Sequence, residues 1–366
     1  MKTSRGFSLV EMMVALVIGL FVSLAAISTA KQFALVTGKA SSANANQNNV
    51  LSSIVAIESA IGQAGLGLYN NGSSTCGYLD VAYANAVAVN KAPVIAARIA
   101  RGGASDTYTG DMITIVYAET ASATSILKSG TNQTTINTSA QVQSNGAVAA
   151  NDFVLLSELN AAATCILRQV TAAAAAVDTN GKPVTNLLFG ASAYNATGFS
   201  GEAAKTGYSV IPIGTKMIVY ESWYAHKATN TLRKINLITG AESIIADGVI
   251  ALRAQYGAMG ASSLDQWIGT DDAAWAGIWD VLDPADSTDA NRIKKIRAIR
   301  FSVLTRESFL QKVDSASCNS TTNPVVPMGW GASSVDISDI HNWRCYTYRV
   351  ATRVVPLRNA IWGLGS

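Results

Sequence analysis

The sequence predicts an α+β protein in which one long amino-terminal helix, half membrane-spanning and half amphipathic, packs on an antiparallel β-sheet with large loop insertions. Three observations predict it. Residues 7–30 (FSLVEMMVALVIGLFVSLAAISTA) are apolar, with Glu11 as the only charge. No proline occurs before Pro93, so nothing breaks a helix that continues past this run. Later stretches rich in β-branched and aromatic residues alternate with turn signals, as strands do. The expected organisation is a leader at 1–6, a membrane half at 7–30, an amphipathic half at 31–68 and a β-rich globular domain at 69–366.

The apolar run is long enough to matter. About 24 helical residues span roughly 36 Å, more than the ~30 Å hydrocarbon core of a bilayer. Lys2 and Arg5 in the leader (MKTSRG) set the orientation, with the leader cytoplasmic and the remainder periplasmic. A secretory signal is cut after its apolar region, where Ser28-Thr29-Ala30 is a loose candidate, and a plain anchor has the same length. Neither accounts for Glu11, because an acid at that depth costs about 2.5–3.5 kcal/mol and marks function. Gly6-Phe7-Ser8-Leu9-Val10-Glu11 resembles the processing site of type IV prepilins. The resemblance implies cleavage by a prepilin peptidase between Gly6 and Phe7, and methylation of the new Phe7 amine. It also implies that Glu11 faces the amino terminus of a neighbouring subunit and aligns the two.

After Lys31, apolar residues recur at Val50/Leu51, Ile54, Ile57 and Ile61, close to helical spacing. The polar stretch 41–49 (SSANANQNN) reads either as a loop between two helices or as part of one continuous spine. Gly62, Gly65 and Gly67 crowd together, and Asn70-Asn71-Gly72 ends the helix. Strands are expected at 108–118, 153–159, 163–171 and 216–226, the last forming a hairpin with 231–238 across 227–230. Residues 119–150 read as a long surface insertion holding one short strand pair. The alanine run Ala172–Ala176 reads as a loop edge or a short helix.

In the last third, 251–257 (ALRAQYG), 296–306 (IRAIRFSVLTR) and 345–359 (CYTYRVATRVVPLRN) occur in an order that resembles the minor pilins of the PilW family. Leader and segments together cover about a fifth of the chain, and 119–215 matches nothing in that pattern. In 296–306, Ile299, Phe301 and Val303 share the face expected to meet the helix, with Arg297 at its start. Pro356 suits an edge or a strand end.

Apolar residues make up 49% and charged residues 14%, which supports a real core under a weakly charged, hydroxyl- and amide-rich surface. A net charge of +3 argues against nucleic acid as a partner of the whole chain. The four cysteines fall in the exported part, where disulfides form. Four cysteines allow three pairings. Cys76 with Cys165 and Cys318 with Cys345 is favoured, because each pair brackets one contiguous block.

Catalysis finds no support in the motifs. His226 and His341 are far apart in sequence, and neither a GxSxG elbow nor a GxxxxGK[ST] loop is present. Asp271, Asp272, Asp280, Asp283, Asp286 and Asp289 offer oxygens to calcium, but without EF-hand spacing a solvated turn-rich loop is the better reading. Trp267, Trp275 and Trp279 read as core, with a subunit contact as the alternative. Arg292, Lys294, Lys295, Arg297 and Arg300 form the densest basic cluster. It is read as solvated or as paired with acids of a neighbouring subunit, rather than as a phosphate strip.

The resemblances imply a structural minor pilin without a cofactor, acting in initiation of pilus assembly or in the pilus tip. Its partners would be other minor pilins, the major pilin, a large tip adhesin and the prepilin peptidase. It would sit in the inner membrane before assembly and in the extracellular pilus afterwards, with a separate ATPase supplying the energy. A minor pseudopilin of a type II secretion system shares the leader and is the nearest alternative. A surface module binding DNA or cations is the alternative of a different class.

Overall fold

The computed structural model describes residues 9–70, 73–102, 107–118, 127–128, 139–143, 148–157, 163–178, 180–196, 199, 209–259, 264–273, 275–308, 318–331 and 333–361. Helix α1 runs unbroken from Leu9 to Gln63 over 55 residues, so its axis is about 82 Å long. The polar stretch 41–49 lies inside it, which decides for the continuous spine. Asn and Ser are weak helix formers, but Ser42 and Asn46 are buried against the head, and packing outweighs the small propensity cost. The helix stops earlier than the Asn-Asn-Gly signal suggests. Gly65 and Gly67 take left-handed φ values of 78° and 70°, and residues 64–68 form turns that reverse the chain.

Two sheets receive the outer half of α1. One has the strand order Glu242–Asp247, Thr231–Asn236, Val219–His226, Asp111–Tyr117, Ala97–Arg101. The other has Leu264–Gly269, Val249–Met259, Ile296–Arg306, Tyr348–Pro356. The expected hairpin is present, with Ala225 opposite Leu232 and His226 opposite Thr231. Pro356 is the last residue of an edge strand, where its missing N–H does no harm.

A six-stranded sheet lies behind these, in the order Ala86–Pro93, Tyr78–Tyr83, Thr164–Gln169, Phe153–Ser157, Ser209–Gly214, Leu127–Lys128. Among the described residues all strand pairings are antiparallel except one: Tyr78–Tyr83 runs parallel to Thr164–Gln169. Phe153–Ser157 shows why its sequence (FVLLS) does not alternate. Phe153 and Leu155 pack toward the five-stranded sheet, while Val154 and Leu156 pack toward a three-stranded sheet on the other side. A strand buried on both faces is apolar throughout. The three-stranded sheet, Ala172–Val177, Pro183–Leu188, Ser139–Gln143, corrects two expectations. The alanine run is an edge strand, held by pairing with 183–188 rather than by its own propensity. Residues 127–128 and 139–143 belong to two different sheets instead of pairing with each other; most of 119–138 lies outside the described residues.

Candidate assembly interface

From Leu9 to Thr37 every described side chain of α1 is exposed, including Leu9, Met12, Leu16, Leu20, Phe21 and Phe33. As far as Ala30 this segment is apolar on all sides apart from Glu11 and three hydroxyls, and its described side chains are not covered by its own head. An apolar helix stays bare in water only at great cost, so the segment needs lipid or other helices around it. Its hydroxyl groups are satisfied locally. Ser23 Oγ donates to Gly19 O (2.8 Å), Thr29 Oγ1 to Ala25 O (2.6 Å) and Thr37 Oγ1 to Phe33 O (2.8 Å). Such back-bonding removes the hydroxyl penalty in hydrocarbon. Glu11 is exposed among Leu9, Val10, Met12 and Met13. Gly6 and Phe7 lie outside the described residues.

The other half of the helix fixes the head to this segment. Ile54, Ile57, Ala60, Ile61 and Ala64 are buried at helical spacing, in one core with Ile99, Ile113, Ile115, Leu252, Ile299, Phe301, Val303 and Val355. The face of Ile296–Arg306 expected to meet the helix does so. Its opposite face is also covered, with Leu304 packed on Met328, Val335 and Ile337. The carboxy-terminal segment closes the joint. Leu357 is buried, and Asn359 Nδ2 donates to the carbonyls of Gly62, Gln63 and Ala64, each at 3.3 Å. Gln63 O also accepts from Leu66 N in the following turn (2.9 Å), and Asn359 adds a second cap on the end of α1 from the far end of the chain. The sequence singles out the Leu-Arg-Asn ending but gives no sign of this role.

A buried charged junction ties the two supporting sheets together. Asp111 accepts from Ala254 N (2.8 Å), Thr270 Oγ1 (2.6 Å) and Arg253 Nη1 (3.3 Å). Arg253 also lies 3.4 Å from Asp271. Burial pushes the Asp111 carboxyl up to about 6, against the opposing pull of Arg253 and of the Thr270 and Ala254 hydrogen bonds. Cysteine chemistry holds the rest. Cys76 is bonded to Cys165 and Cys318 to Cys345, all four buried. The first bond ties the segment just before Tyr78–Tyr83 to the neighbouring strand Thr164–Gln169, and the second closes the loop that covers Leu304.

The aspartates of 271–289 do not converge. Asp272 accepts from Gly269 N (2.6 Å), Asp283 from Ala285 N (2.8 Å), and Asp286 caps α2 (Ser287–Lys295) through Thr288 N and Asp289 N. Among the described residues no three His, Cys, Asp or Glu side chains gather as a metal would require. Trp275 and Trp279 are core residues packed on Tyr256. Trp267 is half-buried and stacks on Arg300, whose guanidinium lies 4.4 Å from that ring and 4.9 Å from Trp330. Within the basic cluster Lys294 and Lys295 are exposed, as solvation predicts, while the arginines have partners in the chain. Arg300 Nε donates to Gln255 Oε1 (3.1 Å), Arg297 Nη1 to Lys294 O (2.6 Å), and Arg292 pairs with Asp289 at 2.5 Å. For these three arginines, the expected solvation or pairing with a neighbour gives way to partners within the chain.

His226 Nδ1 is 2.9 Å from Thr229 Oγ1 at the hairpin tip. His341 lines a cleft of about 370 Å³ with Lys227, Arg306, Asp336, Asp339 and Tyr346. Among the described residues no cysteine or serine lines that cleft.

Residues 1–27 match the family described as the prokaryotic N-terminal methylation motif. No curated protein and no solved structure matches the chain. The motif and the bare apolar helix support a type IV pilin-like protein of a pilus or pseudopilus, anchored in a membrane and assembled with other pilins. That motif family is structural rather than enzymatic.

Proposed function

We propose that this chain is a structural minor pilin of the PilW family, acting in the initiation of type IV pilus assembly and in the pilus tip. One observation carries the reading: an apolar helix segment from Leu9 to Thr37, bare of its own head, bears a single acid at Glu11 behind a prepilin-type leader. In the membrane this segment is solvated by lipid. In the assembly it is solvated by the helices of other minor pilins and the major pilin. The prepilin peptidase cuts after Gly6, Phe7 becomes the methylated amino terminus, and Glu11 pairs with the amine of a neighbouring subunit. That pairing fixes the axial register of one helix against the next, because an uncompensated acid in an apolar bundle is costly. The depth of the head supports a tip position. Three successive sheets stacked outward from the helix give a large head, which at the end of a filament can meet a large adhesin.

Amino-terminal mass spectrometry of protein recovered from sheared pili tests this. A chain beginning with methylated Phe7 is expected, and Gly6→Val should leave the unprocessed form in the inner membrane. A terminus at Met1 or near Lys31 overturns the reading. Recovery with secretion pseudopilins instead of pili would assign the chain to type II secretion.

A further inference from the structure

The cleft beside the hairpin tip has no part in anchoring or assembly. It encloses about 370 Å³, at the small end of the roughly 300–1,000 Å³ typical of small-molecule sites. Three separate parts of the fold bound it. The tip of the Val219–His226/Thr231–Asn236 hairpin supplies Lys227 and Asn230, and the central strands Val249–Met259 and Ile296–Arg306 supply Ile250 and Arg306. The loop closed by Cys318–Cys345 supplies Asp336 and Asp339.

These walls are held by the protein itself. Lys227 N–H donates to Thr107 O (2.8 Å) and Asn230 N–H to His226 O (3.0 Å), which pins the tip. In the loop Ser338 N–H donates to Asp336 Oδ1 (2.8 Å), Ile340 N–H to Ile337 O (3.0 Å) and Thr321 Oγ1 to Tyr346 O (2.7 Å). A pre-formed site loses little freedom when a ligand enters.

The balance of charge selects the class of ligand. Lys227 and Arg306 offset Asp336 and Asp339, so the cleft has no net field to gather a phosphate or a metal ion. The Arg306 guanidinium lies 4.3 Å from the centre of the Tyr346 ring. Stacking engages its flat face, whereas its N–H groups lie in the plane and can still donate. Thr109, Asn230 and His341 each both donate and accept. Ile250, which is buried, and the half-buried Ile340 add an apolar patch. Donors and acceptors mixed around such a patch suit a hydroxylated ring. Each hydroxyl can donate to a carboxylate while accepting from a cation, and bonds to charged groups are the stronger kind. The C–H face of the ring covers the isoleucines. A zwitterion gains less, because ion pairs in an open cleft are screened by water.

We propose that this cleft binds a short neutral saccharide of one or two rings, with Asp336 and Asp339 accepting from its hydroxyls and Lys227 and Arg306 donating to them. The site lies within the head, so it operates whether the chain assembles into a pilus or a pseudopilus.

The test uses the purified full chain in micelles of a detergent without a sugar headgroup. The probes are lactose, maltose, cellobiose, mannobiose and diacetylchitobiose, with glycylglycine as a zwitterionic control, and binding is read by saturation-transfer NMR and titration calorimetry. At least one disaccharide is expected to bind saturably. Asp339→Ala should weaken that binding by on the order of tenfold at an unchanged melting temperature, because Asp339 is exposed. If that variant unfolds, Lys227→Met makes the same measurement from the hairpin side. Saturable binding by none of the disaccharides, or equal binding to the variants, overturns the proposal. So does tighter binding of glycylglycine than of every disaccharide, which would give the cleft to a zwitterion.

Discussion

The two ends of α1 differ in what surrounds them. Up to Thr37 the described side chains are exposed and, as far as Ala30, apolar on every side apart from Glu11 and three hydroxyls; from Ser42 only one stripe is buried and the outer face carries Asn44, Asn48, Ser52 and Glu58. The docked half is a soluble-protein helix whose stability comes from packing. The projecting half draws nothing from the head and waits for an apolar solvent. One continuous backbone therefore joins two solvation regimes. A substitution should act on the head or on the assembly according to which side of Ser42 it falls.

Ile57 gives the largest expected effect. It is fully buried between the two supporting sheets, so Ile57→Ala should lower the unfolding free energy of the head by about 2–5 kcal/mol. Val17→Ala, on the projecting half, should leave it unchanged. Urea unfolding followed by tryptophan fluorescence reads both. A loss of head stability in Val17→Ala would show that the halves are not independent.

Asp111 places a pH dependence on the docked side. Its carboxyl is raised from 3.8 to about 6 in the folded head, so ionisation is easier in the unfolded chain. Stability therefore falls as pH rises from about 4 to about 6, and the penalty is complete above the folded value. The head should be more stable at pH 5 than at pH 7 by about 1 kcal/mol, and Asp111→Asn should remove the difference. Glu242, Asp283 and Asp336 are shifted down and act oppositely, with stability lost only as pH falls below their ordinary range. A flat profile between pH 5 and 7 in the parent chain would mean that Arg253 and Thr270 hold the carboxylate better than its burial implies.

Asn359 tests the boundary at the other end. Asn359→Ala removes the side-chain donor shared by the Gly62, Gln63 and Ala64 carbonyls at the end of the helix and should cost about 1 kcal/mol. Hydrogen exchange should quicken only in the final turn of α1, from Ala60 to Gln63. Quickening that reaches the projecting half would break the separation.

How much of this could be read in the sequence follows from how local each cause is. The spine was legible from the absence of proline and from the spacing of Ile54, Ile57 and Ile61, both properties of neighbouring residues. Its continuity through 41–49 was not, because the burial of Ser42 and Asn46 depends on strands far away in the chain, where Ser308 faces Ser42. Alanine favours helix locally, so Ala172–Ala176 gave no sign of the partner strand that makes it an edge. The same limit hid Arg300 between Trp267 and Trp330, and Asn359 at the end of α1. Bracketing sufficed for the cysteine pairs because each closes one contiguous block. Of the residues proposed for processing and assembly, Glu11 was conspicuous as the lone acid in an apolar run.

Glu11 should have the smallest effect on the head and the sharpest one outside it. Its side chain lies far along the projecting half, remote from every buried core residue, so its removal should leave the unfolding midpoint where it was. Replacing an acid by valine also eases insertion into lipid, so membrane levels should be normal or raised. What Glu11→Val removes is the only acid on the segment, a group that can fix one apolar helix against another, since apolar surfaces slide with little preference for register. Recovery in sheared pili should therefore fall steeply while membrane content holds. Glu11→Asp, which keeps the charge on a shorter stem, should restore part of it. Normal recovery of Glu11→Val would mean that the projecting half assembles by apolar packing alone; reduced membrane levels would mean that Glu11 serves insertion instead.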